Sequence, residues 1–409
     1  MPIKAKKSRK RKQKNHPAPK TKHKLKLPTL SLCMIVRDAA NNLALCLDSV
    51  KNAVDEIIIV DTGSRDNTVA VARKYTDKVY HFKWRDDFAR ARNYSLKFAT
   101  QDWILVMDDD EALARDSAKT IKRFLAQGAQ NINGYSVWIY NCDRQAAENE
   151  IWKNKKHKGW EVHQHTRLLR NNAGLKFRGF LHEAPTGKNL VFYDADLKIL
   201  HYGYSVYTSQ RAERNLRIMR KQLQEKPDDV PTLYNYARSL VNYEDAITPA
   251  VLFYMDKTIS NYVKGKTGVV FLTLAYIYKS FIIILLKKNN YAQAEKYCYQ
   301  WLTRLQDKWD LFPYLYLGKT LFLQNKIDDA SKILKIVYEK YNSKIPFCPR
   351  EDIPGFEREL YFYFGYASLL NFEYKLALKL LNKAGKYFDN DPALNKLLEI
   401  AETRLALPQ

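Results

Sequence analysis

The stretch WILVMDDDE, residues 103–111, is an apolar run that stops at four consecutive acidic residues. A short run of this kind is typical of a strand that is buried on both faces of a parallel sheet. The stretch EIIIVD, residues 56–61, has the same form and ends at Asp61. Two buried strands that both end in carboxylates predict the centre of an α/β domain.

Further strands and helices alternate with these two runs. The predicted strands are Leu30–Val36, Glu56–Val60, Lys78–His81, Trp103–Met107, Tyr135–Tyr140, Thr166–Leu169 and Leu197–Tyr202. The predicted helices are Asn41–Val54, Asn67–Tyr75, Phe88–Ala99 and Glu111–Leu125. This order predicts a mostly parallel sheet with helices on both faces. Because ligands bind at the carboxyl ends of such strands, we expect Asp61 and Asp108–Asp110 to share one rim.

The segment from about Asn141 to Gln164 interrupts this pattern. It is charged and aromatic and contains His157 and His163, with His165 directly after it. We therefore predict a flexible loop over the rim.

The chain from about Gln210 onwards has a helical composition. Small residues recur there at the spacing that is typical of tetratricopeptide repeats, as in Gly318 with Ala330 and Gly365 with Ala377. We predict roughly four stacked helical pairs, which bind a peptide or protein, form a homodimer or have only a supporting role. The apolar stretch Val269–Leu286 contains Lys279, so we interpret it as a buried repeat helix and not as a membrane span.

The basic residues are concentrated at the start of the chain. The formal net charge is +24, and residues 1–28 contain twelve Lys and Arg and no acidic residue. Such a tail cannot bury apolar surface, so it is expected to be disordered. Its expected partner is an anionic membrane surface, nucleic acid or an acidic protein, and the alternative is a solubilising tail.

The five cysteines are widely spaced, and none forms a C-x-x-C pair. This pattern indicates a reducing compartment and argues against a disulfide framework or a zinc site. We expect a cytoplasmic protein, or one held peripherally at a membrane by its basic tail.

Two local motifs predict the chemistry at the rim. Carboxylates two residues apart, Asp108 and Asp110, can hold Mg²⁺ or Mn²⁺ together with phosphate oxygens. The alternative is a solvated turn that caps the predicted helix Glu111–Leu125. After the second strand, Asp61 can accept hydrogen bonds from a nucleobase, whereas Asp66 is expected to act only as a helix cap.

Several motifs in order resemble the family 2 glycosyltransferases of the GT-A fold. They are the run Ser31–Val36, the turn Val60–Ser64, the segment Trp84–Asn93, the acidic cluster Asp108–Glu111, and the later runs Arg167–Arg170, Phe177–Glu183 and His201–Tyr204. More narrowly, the chain resembles the tetratricopeptide-bearing branch that includes peptide S-glycosyltransferases of the sublancin type. The resemblance covers about residues 30–205 strongly and the repeats loosely.

The resemblance implies a domain order and a donor. A disordered basic tail at 1–28 precedes a GT-A domain (Rossmann-like α/β) at 29–209 and an all-α tetratricopeptide-like domain at 210–409. The donor is a UDP-sugar and the cofactor Mg²⁺ or Mn²⁺. The acceptor is a peptide or protein, with transfer of a hexose to a Cys or Ser side chain.

The resemblance also implies roles for individual residues. Nucleotide-sugar binding is assigned to Val36, Arg37, Asp61, Arg92, Asp108 and Asp109. Within that set, Asp61 contacts uracil and Asp108 reaches the ribose or the metal. Asp110 and His201 bind the metal beside the diphosphate. Glu183 is the general base, and the alternative is an ion pair with a nearby arginine.

One departure from the family is visible. The family usually has Lys-Asn-Glu after the first strand, where this chain has Arg37-Asp38-Ala39. We expect Asp38 to compensate for the lost glutamate. Two other functions remain open: a glycosyltransferase that acts on a cell-envelope glycan or lipid, and an inactive transferase fold whose repeats form a scaffold.

Overall fold

The computed structural model describes residues 27–128, 131–145, 162–203, 209–265, 273–304, 310–343, 353–388 and 390–407. The chain divides into two compact units, Met1–Val206 and Tyr207–Gln409. Almost the whole basic tail, most of the predicted loop over the rim, and Cys348 lie outside the described residues. The predictions for the tail and for a homodimer therefore stay predictions.

The first unit is built on one mixed sheet and a small hairpin. Its strands are β1 Leu30–Val36, β2 Glu56–Asp61, β3 Val79–His81, β4 Trp103–Val106, β5 Glu111–Leu113, β6 Gly134–Asn141, β7 Val162–Arg170, β8 Lys176–Arg178, β9 Ala184–Thr186 and β10 Phe192–His201. Its helices are α1 Leu43–Val50, α2 Thr68–Ala72, α3 Phe88–Leu96 and α4 Arg115–Gln127. The main sheet has the order β3-β2-β1-β4-β7-β6-β10-β5, and β8 pairs with β9.

Six of the eight strands in the described main sheet run in one direction, and β7 and β5 run in the other. The predicted α/β domain with a mostly parallel sheet is confirmed. Strands β1 and β2 are almost wholly buried, because helices α1 and α3 cover the apolar side chains on the two faces. The rim formed by the strand ends is thereby held on a rigid, close-packed base.

The predicted start of the helix Glu111–Leu125 is wrong. Glu111–Leu113 pairs as β5 with the edge of β10, and the helix begins only at Arg115. The acidic cluster is therefore not a helix cap. Strand β7 begins four residues earlier than predicted, so His163 and His165 lie on a strand and not in the loop.

The second unit contains helices throughout its described residues. They are α5 Ser209–Glu225, α6 Val230–Glu244, α7 Pro249–Val263, α8 Leu274–Lys287, α9 Tyr291–Thr303, α10 Phe312–Leu323, α11 Ile327–Asn342, α12 Ile353–Leu370, α13 Tyr374–Ala384 and α14 Pro392–Ala406, with a 3-10 turn at Gly385–Tyr387. Consecutive helices pack against one another. The predicted all-helical region after the α/β domain is confirmed.

The small residues of the repeats lie where two helices approach closely. A Cβ on Gly318 of α10 would come within 2.6 Å of Leu334 on α11, and one on Gly365 of α12 would come within 2.9 Å of Leu381 on α13. Both glycines precede their leucine by the same sixteen positions. The equivalent contacts show that α10–α11 and α12–α13 are two copies of one helical pair.

The described helices α6 to α13 form four successive pairs, which are α6–α7, α8–α9, α10–α11 and α12–α13. The turns that join the two helices of each pair have a common backbone conformation. Asp245, Asn289, Asn325 and Phe372 each have a positive φ, between 53° and 63°, in the turn that joins the two helices of a pair. Helix α8, which contains most of the apolar stretch around Lys279, is one of these repeat helices. None of the helices in the described residues is both long and apolar enough to cross a membrane.

Candidate active site

The ends of three neighbouring strands form the centre of the rim. Strand β1 lies between β2 and β4, so the end of β1 at Val36 separates Asp61 from Asp108. Two strand spacings amount to about 10 Å. The structure thus places the predicted residues on one rim, but as two side-by-side clusters.

Asp61 closes the turn at the end of β2. Its carboxylate is buried and accepts hydrogen bonds from the backbone N–H groups of Gly63 at 3.2 Å and Ser64 at 3.1 Å. Gly63 has a φ of 106°, a conformation that favours glycine. The exposed ring of His81 lies with Nδ1 3.3 Å from the carboxylate of Asp61. Asp61 therefore has a structural role in addition to the nucleobase contact that we expect of it.

The loop after β1 is tied to the loop after β2. The N–H of Asp38 donates to Ser64 Oγ at 2.9 Å, and the N–H of Arg65 donates to Asp38 Oδ1 at 2.7 Å. Asp38 also has a positive φ of 50°. Its carboxylate is thus used inside the protein, which is at odds with the expectation that it replaces the lost glutamate. Arg37 stays half-exposed beside it.

Asp66 belongs to the same contact between loops. It accepts from the N–H of Thr68 at 3.0 Å and from the N–H of Ala40 at 3.0 Å. Asp66 therefore stabilises the start of α2 and also holds the neighbouring loop. The carbonyl of Val36 accepts both the N–H and the hydroxyl of Thr62, at 2.9 and 3.0 Å.

Asp108 lies in the middle of a ladder of charged side chains and is itself partly exposed, whereas the two arginines beside it are buried. Arg92 joins Glu183, at 2.7 Å from Nε, to Asp108, at 2.9 Å from Nη2. Arg167 joins the other oxygen of Asp108, at 2.9 Å, to Glu111. Burial alone would raise the pKa of Asp108, but Arg167 and Arg92 hold it well below its usual range.

This ladder shows what Asp108, Arg92 and Glu183 contact within the protein. Each carboxylate oxygen of Asp108 accepts one hydrogen bond from an arginine, and the side chain keeps 35% exposure, so its contact with a ribose or a metal stays a prediction. Arg92 is only 5% exposed and binds two carboxylates through Nε and Nη2, whereas Nη1 has no hydrogen-bond partner among the described residues, so its contact with the nucleotide stays a prediction. Glu183 does form an ion pair with an arginine, and its role as the general base stays a prediction.

Asp110 and His201 form a second pair beside the ladder. Strand register places His201 of β10 next to Asn141 of β6 and Glu111 of β5. His201 Nδ1 lies 2.8 Å from Asn141 Oδ1, which accepts its hydrogen and leaves Nε2 directed at Asp110 Oδ2, 3.5 Å away. Burial lowers the pKa of His201, but the hydrogen bond and the charge of Asp110 raise it above its usual value.

Hydrogen bonds to the backbone carbonyls of Asp108, Asp109 and Asp110 hold the acidic cluster in place. The thiol of Cys46 donates to the Asp108 carbonyl at 3.4 Å. The hydroxyl of Tyr202 donates to the Asp109 carbonyl at 3.3 Å, and its N–H to the Asp110 carbonyl at 3.0 Å. Burial, then the charges of Asp110 and Asp108, raise the pKa of Asp109 to about 7. The cluster therefore concentrates negative charge on a fixed backbone.

Glu183 is positioned by the β8–β9 hairpin, which sequence reasoning did not predict. The side-chain amide of Asn93 on α3 donates to the Phe177 carbonyl and accepts the Phe177 N–H, both at 2.8 Å. The N–H of Phe88 donates to the Phe180 carbonyl at 2.8 Å. These contacts fix the hairpin beside Arg92, which lies one residue before Asn93.

The two oxygens of Glu183 differ. Oε1 is bonded to Arg92, whereas Oε2 has no hydrogen-bond partner among the described residues. Its side chain is 10% exposed. His182, directly before it, has a positive φ of 56° and is exposed, so it is not a packed core imidazole.

Sequence reasoning missed three residues that build this site: Arg167, Asn141 and Asn93. Arg167 is a cation directly before the buried leucines Leu168 and Leu169 of β7, and Asn141 is a polar residue at a strand end. Both patterns are visible in the sequence and indicate a buried polar partner. For Asn93 the sequence shows only a polar residue on a helix, so only its contacts reveal its role.

No group of three or more His, Cys, Asp or Glu side chains is arranged to hold a metal ion in the part of the chain that the structure describes. Asp110 Oδ2 and His201 Nε2 nevertheless lie at 3.5 Å, a separation at which two protein atoms can share one cation. Mg²⁺ and Mn²⁺ commonly use one or two protein ligands and complete their shell with substrate phosphates and water.

Comparison with known proteins agrees with the site. Residues 31–183 match the model of glycosyl transferase family 2, a segment that contains every residue of the ladder. This segment is therefore similar to the glycosyl transferase domains of family 2. His201 lies beyond the matched residues, so its part in the site rests on the geometry described above.

Two curated relatives extend the similarity beyond this domain. A TPR repeat-containing protein of Synechococcus elongatus is 34% identical over 213 residues, which are 49% of this chain and 49% of that protein. The SPbeta prophage-derived glycosyltransferase SunS of Bacillus subtilis is 28% identical over 281 residues, 66% of this chain and 62% of that protein. The chain thus spans about half to three fifths of the length of these relatives.

Among solved structures, the glucosyl-3-phosphoglycerate synthase of Mycobacterium tuberculosis, crystallised with Mg²⁺ and uridine diphosphate, matches at 20% identity. The match covers 30% of this chain and 47% of that one, with a TM-score of 0.23.

Proposed function

We propose that this chain, whose residues 31–183 match the model of glycosyl transferase family 2, transfers a hexose from a UDP-sugar to a Cys or Ser side chain of a peptide or protein. The observation that carries the proposal is the Asp110–His201 pair, held 3.5 Å apart on the same rim as Asp61. A second acidic group, Glu183, is fixed beside this rim by Arg92.

The spacing of the two clusters suits a nucleoside diphosphate. Asp61 and the exposed ring of His81 offer hydrogen-bonding groups for a uracil edge at the end of β2. The half-exposed Arg37, at the end of β1, lies between that position and Asp110 and can contact the phosphates. We therefore retain Val36 and Arg37 as donor-binding residues. Asp38 instead holds the neighbouring loop through hydrogen bonds.

The residues present fit a divalent cation. Asp110 offers a carboxylate oxygen, and His201 offers Nε2, because Asn141 fixes the hydrogen on Nδ1. Mg²⁺ or Mn²⁺ held here would neutralise the charge that develops on the leaving diphosphate.

Glu183 is the proposed general base. The acceptor oxygen or sulfur forms a bond to the anomeric carbon while the bond from that carbon to the diphosphate breaks, which inverts the configuration. The acceptor proton passes to Glu183 Oε2, and UDP leaves. Arg92 holds Oε1, so that Oε2 keeps one orientation. In this mechanism Arg92 positions the base, and Asp108 holds Arg92 in place.

The experiment that tests the proposal is an intact-mass screen. The full chain is incubated with Mn²⁺, several UDP-hexoses, and peptides that contain Cys or Ser. A mass increase of one hexose on a peptide supports the proposal and identifies donor and acceptor together. If the hexose is found only on a glycan or lipid, the proposed peptide or protein acceptor is wrong and the acceptor is a glycan or lipid. The absence of both transfer and UDP binding would favour the inactive scaffold.

A further inference from the structure

The second unit has a groove lined by the first helices of three successive pairs, α8, α10 and α12. Its volume is about 610 Å³. Helix α10 contacts both α8 and α12, so the groove runs continuously across the three helices. A surface formed in this way by equivalent helices is suited to an extended chain that crosses them in turn.

The floor of the groove is aromatic and apolar. It contains Phe312 and Phe356, which pack edge to face at 5.2 Å, together with Leu315, Leu286 and Ile283. Tyr291, Tyr316 and Tyr363 add side chains that combine an apolar ring with a hydroxyl. Such residues provide contact area at a small cost in side-chain entropy and are enriched where proteins bind peptides.

The charged residues of the groove are mostly basic. Lys279, Lys287, Lys319 and Arg358 line it, and Glu359 is the one acidic residue in the lining. Glu359 forms an ion pair with Lys319 and lies 3.4 Å from Arg358, so its charge is neutralised locally. Subtracting one acidic from four basic residues leaves a net charge of +3.

Two of the lysines are held in place by aromatic rings. Lys279 Nζ lies 4.5 Å from the centre of the Phe312 ring, and Lys319 Nζ lies 4.9 Å from that of Tyr363. Lys279 is the charge that interrupts the most apolar stretch of the sequence.

We propose that this groove binds an acidic peptide segment that contains apolar or aromatic residues. The excess of cations attracts the carboxylates, and the ring-lined floor takes the apolar side chains between them. Nucleic acid fits less well, because phosphate recognition favours a dense row of cations without an acidic residue among them. The inference goes beyond the transfer reaction, since binding here needs neither a donor nor the rim of the first unit.

The test measures binding to the full chain by fluorescence anisotropy. The probe is a short fluorescein-labelled synthetic peptide in which Asp or Glu alternates with Phe or Leu, and the matched peptide has Asn and Gln in place of the acids. We expect the acidic peptide to bind at least about tenfold more tightly than the neutral one at low salt. Equal affinity for the two peptides would overturn the proposal.

Variants then locate the binding surface. Lys287→Glu reverses an exposed groove charge. Lys279→Gln removes the charge above Phe312 and keeps a polar side chain that is one atom shorter. Each is expected to weaken binding by about fivefold or more. Lys335→Glu makes the same charge change on an exposed position of α11 outside the groove lining and should leave binding unchanged.

Circular dichroism and the unfolding temperature establish that each variant is folded. If the groove variants bind like the wild type, or if Lys335→Glu weakens binding equally, the basic tail or the general surface charge is responsible and the proposal fails. Displacement of the peptide by a single-stranded RNA oligonucleotide at a lower concentration than by unlabelled peptide would assign the groove to nucleic acid and also overturn it.

Discussion

Gly203 packs directly against the carboxyl group of Asp110. A Cβ on Gly203 would overlap the Asp110 carboxylate and would lie 2.7 Å from Asp110 Cβ. Gly203 follows Tyr202, whose N–H holds the Asp110 carbonyl. The glycine is therefore required for space, and it lets the end of β10 close over the carboxylate that we propose as a metal ligand.

Gly203→Ala should displace the Asp110 side chain. We expect the affinity for Mn²⁺ in the presence of UDP to fall by at least about tenfold, because a cation site tolerates little change in ligand position. Isothermal titration calorimetry measures this. Gly385→Ala is the matched control, since its Cβ would meet only Leu394 at 3.9 Å, an ordinary contact. Unchanged Mn²⁺ affinity in Gly203→Ala would exclude Asp110 as a ligand.

Asp110→Asn keeps the shape of the side chain and removes its charge. We expect both hydrolysis of the UDP-sugar and transfer to fall to background, with an unfolding temperature close to that of the wild type. Product formation is followed by mass spectrometry. Asp77→Asn, at an exposed position of the same unit, should retain full activity. A fully active Asp110→Asn enzyme would contradict the proposed cation site.

Glu183→Gln should separate binding from chemistry. The amide oxygen of glutamine can still accept from Arg92, so UDP affinity is expected to stay unchanged. Transfer to a Ser acceptor should slow by about 10²- to 10⁴-fold, which is the usual contribution of a general base. A Cys acceptor is partly ionised near neutral pH and should be affected less. Wild-type rates with Ser would show that Glu183 is only a partner of Arg92.

Arg167→Met should destabilise the first unit. It leaves Glu111 buried beside Asp108 without its cation, a loss that typically costs about 3–5 kcal/mol in the free energy of unfolding. Urea unfolding measures this change. The double variant Arg167→Met with Glu111→Gln should recover part of the stability, because the unpaired buried charge is removed. Arg123→Met, at an exposed position of α4, should change stability by less than about 0.5 kcal/mol.

Glu56 should make the stability of the first unit depend on pH. Burial would raise its pKa, but hydrogen bonds from Lys78, Ser31 and Thr100 lower it below its ordinary value. A depressed pKa adds stability above the pKa of the unfolded state, about 4.3, and this stability is lost as pH falls through the lower, folded-state pKa.

Glu56→Gln should therefore lower the unfolding free energy by about 1–3 kcal/mol at pH 7, and the difference from wild type should shrink below about pH 4. Denaturant unfolding at a series of pH values measures it. A difference that does not change with pH would mean that the charge of Glu56 does not contribute.

The sequence predicted the elements better than the contacts between them. Strand β1 was predicted at its observed bounds, because a buried parallel strand is a continuous apolar run. Strand β5 was missed because its three residues follow the acidic cluster and resemble the first turn of a helix. Only its pairing with β10 identifies it as a strand, and that pairing is not encoded within the segment.

The candidate site shows the same division. The sequence indicated that Asp61, Asp108, Asp110 and His201 matter, since each follows a strand or lies at its end. It did not indicate that Asp108 is neutralised by Arg92 and Arg167 whereas Asp110 faces a histidine. Arg92 and Glu183 are 91 positions apart, and Arg167 and Asp108 are 59 positions apart, so their pairing depends on strand order and register.

By itself, the sequence determined the succession of buried strands with polar ends and the repeated glycine–alanine spacing of the helical pairs. These features are local, because hydrophobic periodicity and turn chemistry act over a few residues. Only the tertiary structure decided which carboxylate is paired with arginine, which one faces a histidine, and which lysines share a groove with aromatic rings. Those outcomes depend on packing between distant segments, which brings charges into a common low-dielectric environment and fixes their partners.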